Sequence, residues 1–144
     1  MTSEDKWDFI TKLDNELLLS GVMLSEWSTF LIRDADEAFC AGAHLAAILA
    51  AQAAMECHLR HEYSDTAQKN LGFFDLIERS SLPDDLRADL HTVRRYRNRW
   101  VHVHDPSSDD DLLQRPDYYD EELERMATFA IKAMRRVINL DQFV

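Results

Sequence analysis

The most apolar run of this 144-residue chain is AGAHLAAILAAQAAMECHL, residues Ala41–Leu59. Its larger apolar side chains recur at helical spacing. His44, Gln52 and Glu56 interrupt the run, and its many alanines are only weakly hydrophobic, so it lacks the character of a membrane-spanning segment. The pattern predicts a long buried helix from about Asp36 to about Tyr63, in which the small alanines allow neighbouring helices to approach closely.

The composition predicts an all-α protein. The chain has only three Gly and three Pro, whereas the helix-favouring residues Ala, Leu, Glu and Arg are abundant. We predict a single domain, residues 1–144, folded as an up-and-down bundle of about five to six helices. The remaining helices are expected around Trp7–Leu17, Val22–Leu31, Leu71–Ile77, Leu86–Arg97 and Tyr118–Asn139, with a break near Ser20-Gly21 and an acidic loop over Asp105–Pro116 that includes Asp109, Asp110 and Asp111.

The distribution of charge limits the possible partners. A net charge of -11 repels nucleic acid and anionic membranes in general. The segment from Arg87 to His104 nevertheless contains five arginines and one aspartate, and its local net charge is +4 with histidine neutral. Any contact with RNA therefore has to be made locally, and we expect Arg94, Arg95 and Arg99 to bind RNA there.

The cysteines predict neither disulfides nor a metal site. Cys40 and Cys57 are too few for a disulfide framework, and the sequence does not open with a cationic, apolar signal peptide, so we expect a cytoplasmic protein that does not bind membranes. Each cysteine lies four residues before a histidine, His44 or His61. The two pairs are too far apart along one helix to share an ion, so we predict core thiols, no metal and no cofactor.

The segment Arg97-Asn98-Arg99-Trp100-Val101-His102 has the residue types needed for metal-independent cleavage of RNA. A neutral imidazole can accept the proton of a ribose 2′-hydroxyl, and a guanidinium can stabilise the charged phosphorus transition state through paired hydrogen bonds. Arg97 and His102 are five residues apart, about 140° around an ideal helix, and so cannot meet on one continuous helix. Either the helix ends between them or a second chain contributes.

Arg97-Asn98-x-x-x-His102 resembles the R-x(4–6)-H signature of HEPN domains, which are helical ribonuclease or nucleotide-binding modules of prokaryotic toxin and defence systems. The order of segments is also similar, with a long Ala-rich helix, the motif helix, an irregular loop and a closing amphipathic helix. The similarity extends from about Asp36 to Ile138, and only the six-residue motif within it is distinctive.

The resemblance implies a homodimer in which two Arg-His pairs share one cleft and cut RNA to leave 2′,3′-cyclic phosphate ends. Arg97 would stabilise the phosphate, His102 would be the acid or base, and Asn98 would occupy the polar position after the arginine. Glu56 would support Arg97, although Arg60 is an equally good partner. His104 is an auxiliary candidate, and it stands where toxins regulated by a nucleotidyltransferase antitoxin have a modifiable Tyr.

A second hypothesis fits the same residues. The acidic chain and the replacement of Tyr by His104 are also typical of a catalytically inactive helical module that dimerises and binds a partner protein or a nucleotide. On the first hypothesis the partner is RNA, together with a cognate antitoxin or defence protein. Trp100 and Tyr96 are open to two interpretations, stacking on unpaired bases or packing in the core or at a dimer interface.

Overall fold

A computed structural model of the chain describes residues 1–63, 70–107 and 112–141. These residues form α-helices and connecting turns without a β-strand, which confirms the predicted all-α bundle of five to six helices. The acidic residues Asp109, Asp110 and Asp111 of the predicted loop lie outside the described residues. The helices are α1 (Ser3–Leu17), α2 (Glu26–Cys40), α3 (His44–Tyr63), α4 (Phe73–Arg79), α5 (Asp84–Val101) and α6 (Pro116–Ile138).

The prediction of one continuous helix from Asp36 to Tyr63 is wrong, because Gly42 separates α2 from α3. Gly42 has a φ of 83°, a left-handed conformation that ends a helix and that glycine adopts without strain. The Gly42 N–H donates to the Phe39 carbonyl at 3.1 Å, and the Ala43 N–H donates to the Ala38 carbonyl at 2.9 Å. These two bonds form a Schellman motif, which satisfies the last carbonyls of α2 and reverses the chain into α3.

The break before α2 is also longer than the predicted one at Ser20-Gly21. Ser25 is the N-cap of α2, and its side chain accepts a hydrogen bond from the Ser28 N–H at 3.1 Å. Because a serine hydroxyl in this position satisfies a backbone donor that would otherwise have no partner, it fixes the helix start at Glu26. Val22 and Leu24 therefore precede the helix.

Helix α3 is the centre of the bundle, as its sequence predicts. It packs against α2, α4, α5 and α6, most extensively against α2 and α6. Its alanines allow this close packing on several sides, because a side chain as small as a methyl group permits neighbouring helix backbones to approach closely. In the described part of the chain no helix is long and apolar enough to cross a bilayer. The most deeply buried side chains of α3 are Ala47, Ile48, Ala51, Ala54, Met55 and Leu59.

A buried ion-pair cluster joins three helices around Arg135 of α6, whose side chain is only 4% exposed. Its Nη1 and Nη2 donate to the two carboxylate oxygens of Asp36 on α2 at 2.7 and 2.6 Å, and its Nε donates to Asp14 Oδ1 on α1 at 2.8 Å. Burial alone would lower the pKa of Arg135, but Asp36 and Asp14 raise it overall. The guanidinium therefore stays charged and links α1, α2 and α6.

The fold lowers the pKa of two histidines. Lys6 on α1 is buried and its Nζ lies 2.7 Å from His44 Nε2. Burial and the charge of Lys6 lower the pKa of His44, even though Glu124 and Asp120 oppose the shift. His58 on α3 is also buried, and burial lowers its pKa.

Removing one carboxylate from the Arg135 cluster is expected to destabilise the bundle strongly. The substitution Asp36→Asn leaves a buried guanidinium with only one charged partner, which should lower the free energy of unfolding by about 3 kcal/mol. Asp34→Asn is the matched control, since Asp34 is exposed and pairs with the exposed Arg33, and its cost should be below about 0.5 kcal/mol. Chemical denaturation measures both. Equal effects would contradict the structural role of the cluster.

The depressed pKa values of His44 and His58 make stability depend on pH. Both groups bind protons more readily in the unfolded chain, whose histidines titrate near the ordinary pKa of 6.5. The free energy of unfolding is therefore expected to be highest above pH 6.5 and to fall as the pH is lowered toward 5, as denaturation midpoints would show. His58→Gln should flatten this dependence. Identical pH profiles for wild type and His58→Gln would rule out His58.

Candidate active site

The predicted motif lies at the C-terminal end of α5. Arg97 and Asn98 are in the last turns of the helix, and His102 is its C-cap, with φ -118° and ψ 58°. The His102 N–H still donates to the Asn98 carbonyl at 2.9 Å, but its own backbone is no longer helical. The helix therefore ends between Arg97 and His102. This is one of the two alternatives that would allow the pair to meet.

Arg97 is half-buried and is positioned by its neighbour. Its Nη1 donates to Asn98 Oδ1 at 3.3 Å. Within residues 1–63, 70–107 and 112–141, no carboxylate forms an ion pair with Arg97. Since an unpaired guanidinium is the form that can bind an incoming phosphate bidentately, Arg97 is available for an anionic ligand.

His102 and His104 are both exposed at this end of the helix. In the part of the chain that the structure describes, neither imidazole forms a hydrogen bond with Arg97. The single chain thus has the guanidinium and the imidazole close together in the sequence, but no hydrogen bond joins the two groups. A ligand or a second protomer has to bring them together if they act on the same group.

The arginines expected to bind RNA have different surroundings. Arg95 is exposed and has no acidic partner among the described residues. Arg94 donates through Nε to His91 Nδ1 at 3.2 Å and lies 5.1 Å from the centroid of the Phe74 ring. Arg94 is therefore packed against α4.

Arg99 is compensated by an acidic residue of α6. Its Nη1 donates to Glu122 Oε1 at 3.0 Å, and the Tyr96 hydroxyl donates to the same oxygen at 2.9 Å. Burial raises the pKa of Tyr96, so its hydroxyl remains a donor. Glu122 was not predicted, because the sequence gives no register between α5 and α6. The pair fixes the end of α5 against α6 and reduces the positive charge of the motif.

Glu56 does not support Arg97 in the single chain. It is half-buried on α3, and no ion pair joins it to Arg97 or Arg60 among the described residues. Arg60 instead donates through Nη2 to the Leu71 carbonyl at 2.8 Å. Arg97 contacts Asn98 instead, so the intrachain partner of the motif arginine is an amide and not the predicted carboxylate.

A groove of about 360 Å³ adjoins the motif. It lies between the end of α5, the segment that follows it and the start of α6. The indole Nε1 of Trp100 is buried and forms no hydrogen bond among the described residues, whereas the side chain as a whole is only half-buried. The ring therefore presents carbon surface rather than its N–H to the outside. The lining residues are Arg99, Trp100, Val103, Leu112 and Tyr119.

The cysteine–histidine pairs are used for packing and hydrogen bonding. Cys40 is buried, and burial raises the pKa of its thiol. His44 contacts Lys6, and Cys57 Sγ lies 3.7 Å from the Ser25 hydroxyl. Among the described residues, no group of three His, Cys, Asp or Glu side chains is arranged to hold a metal ion.

Comparisons with known proteins do not assign the chain to a family. No family model matches it, and neither a curated protein nor a solved structure matches it. The resemblance to HEPN domains consequently depends on the motif residues Arg97, Asn98 and His102 and on the order of the helices.

Proposed function

We propose that the protein is a metal-independent endoribonuclease of the toxin or defence type, acting as a homodimer on cytoplasmic RNA. The observation that supports the proposal is the state of Arg97, which is held by Asn98 and has no carboxylate partner in the described chain, beside an exposed His102 at the helix end. Arg135, the buried structural arginine of the bundle, is compensated by two carboxylates. Arg97 is instead available to a phosphate.

The proposed reaction needs only these side chains. His102 accepts the proton of the ribose 2′-hydroxyl, the 2′-oxygen forms a bond to the adjacent phosphorus, and the bond from phosphorus to the 5′-oxygen breaks. An imidazolium, from the same or the partner subunit, returns a proton to the leaving 5′-oxygen. Arg97 stabilises the negative charge that accumulates on the non-bridging oxygens. The products carry a 2′,3′-cyclic phosphate and a 5′-hydroxyl.

The proposal includes a second protomer because one chain does not join the two groups. Arg97 is half-buried and His102 is exposed near the C-terminal end of α5, and no hydrogen bond connects them. Packing this end against its symmetry mate would bring the Arg97 of one chain toward the His102 of the other. It would also place two arginines and two imidazoles in one cleft, where they could contact the same phosphodiester.

A second candidate function is a catalytically inactive module that binds a partner protein or nucleotide. It is supported by the ion pair between Arg99 and Glu122 and by the net charge of -11, both of which weaken attraction to a polyanion. A cognate antitoxin or defence protein would then recognise the same end of the bundle. The two candidates differ in whether a bond in RNA is broken.

The ribonuclease proposal predicts that the purified protein cuts single-stranded RNA in the presence of EDTA. Loss of the proton acceptor in His102→Ala, or of the phosphate-stabilising charge in Arg97→Ala, is expected to reduce the rate by at least about a hundredfold. His91→Ala is the matched control, because His91 is on the same helix but is bonded to Glu78. Its activity should stay within about threefold of wild type. Cleavage that persists in His102→Ala would remove this residue from the mechanism.

The dimer is tested by mixing the two inactive variants. If the site combines Arg97 of one chain with His102 of the other, a heterodimer of Arg97→Ala and His102→Ala contains one intact pair, and unfolding and refolding the mixture should restore part of the activity. If the pair belongs to a single chain, no intact site forms and no activity returns. Wild-type protein that forms folded dimers but cuts no RNA would instead favour the binding module.

A further inference from the structure

The groove beside the motif has the dimensions and lining of a small ligand site. Its volume of about 360 Å³ is near the lower end of the range of about 300 to 1,000 Å³ typical of small-molecule sites. Among the residues that the structure describes, two aromatic and two aliphatic side chains line it together with one guanidinium, and none of these lining residues is a carboxylate. A flat, uncharged and partly apolar group matches this lining better than a cation or a highly charged anion.

The orientation of Trp100 determines which part of its ring a ligand can contact. Since Nε1 is buried and the side chain as a whole is half-buried, the accessible part is carbon surface. Such a surface stabilises a ligand by stacking and not by donating a hydrogen bond. Stacking on an aromatic ring is the main way in which proteins hold unpaired bases, and it tolerates any base because each has a π face.

The groove also begins within one residue of the proposed catalytic imidazole. Val103 follows His102 directly, at a Cα–Cα distance of about 3.8 Å, and it lines the groove. A nucleotide whose phosphate contacts the motif can therefore place its base on Trp100. Arg99 at the edge of the groove is already paired with Glu122, so it contributes little net charge to binding.

Resting on the proposed function, we propose that the groove formed by Arg99, Trp100, Val103, Leu112 and Tyr119 is a nucleobase-binding subsite for the nucleotide next to the scissile linkage. Binding there is dominated by stacking and apolar contact. This compensates for the unfavourable global charge of -11, because stacking does not require the protein to attract a polyanion. It also implies that the substrate is single-stranded, since a paired base cannot enter the groove.

Two neighbouring leucines provide a matched pair of variants. Leu112 lines the groove and is 39% exposed, whereas Leu113 is 95% exposed and does not line it. Both can be changed to Glu with the same change of charge and little risk to the fold. Leu112→Glu puts a carboxylate in the base site, and Leu113→Glu puts it in solvent.

The probe is a short single-stranded 2′-O-methyl RNA, which cannot be cut because its 2′-oxygens carry no proton, and binding is measured by fluorescence anisotropy. Leu112→Glu is expected to weaken binding by at least about tenfold, and Leu113→Glu by no more than about twofold. A probe with abasic positions should bind wild type more weakly and should not distinguish the two variants. Adenosine monophosphate is titrated separately, to determine whether a free nucleotide also occupies the groove.

Equal affinities of Leu112→Glu and Leu113→Glu for the probe would overturn the subsite. The subsite would also be overturned if Leu112→Glu became monomeric while probe binding did not depend on the bases, because the groove would then be an interface between two copies. If the base-dependent difference appears but wild type cuts no RNA, the subsite stands and the ribonuclease proposal fails. If wild type cuts RNA and the two leucine variants bind alike, the subsite alone fails.

Discussion

The bundle depends on a charge buried where three helices meet. Arg135 of α6 spans the gap between Asp14 on α1 and Asp36 on α2, and its two bonds to Asp36 are of the bidentate kind that fixes both distance and orientation. A hydrophobic contact in the same place would tolerate sliding of one helix along another. The guanidinium does not, because each of its nitrogens has to face an oxygen, so the cluster sets the register of α6 against the N-terminal half of the chain.

The register of α6 also determines the position of the proposed site. Helix α6 pairs with α5 through Arg136, which contacts Asp85 at 2.7 Å and Asp89 at 3.1 Å, and through Glu122, which receives Arg99 and Tyr96. The two sets of contacts lie near opposite ends of α5. Together they hold the end of α5, and so the motif and the adjoining groove, at a fixed position relative to the core.

Much of the fold was predictable because helical periodicity is a local property. The apolar spacing of Leu86, Leu90 and Val93 identified the buried side of α5, and all three are buried. The turn at Gly42 was missed because the alanines around it continue a helical pattern. In the structure, the left-handed conformation of this single glycine ends the helix despite those alanines. Periodicity also does not show which apolar side chains stay outside, and Trp27 is 79% exposed.

The candidate site was predictable only as a set of residues. The motif residues, His104 and the arginines from Arg94 to Arg99 could be identified from the sequence, but the contacts of Arg94 with Phe74 and of Arg99 with Glu122 on other helices could not. Glu122 and the groove depend on the register of α5 against α6, and the pairing expected for Glu56 is not found in the single chain. Arg135 and Asp14 are 121 positions apart. Long-range pairs of this kind produce no periodic pattern in the sequence.

The Schellman turn at Gly42 has a consequence for the order of folding. Because it connects α2 to α3 through three residues, the largest helix–helix contact of the bundle closes a very short loop and costs little chain entropy. The Arg135 cluster closes loops of 99 and 121 residues and is expected to form only after that hairpin exists. Changes at the hairpin should then mainly alter the folding rate and changes at the cluster the unfolding rate, a division that the two arms of a chevron plot would reveal.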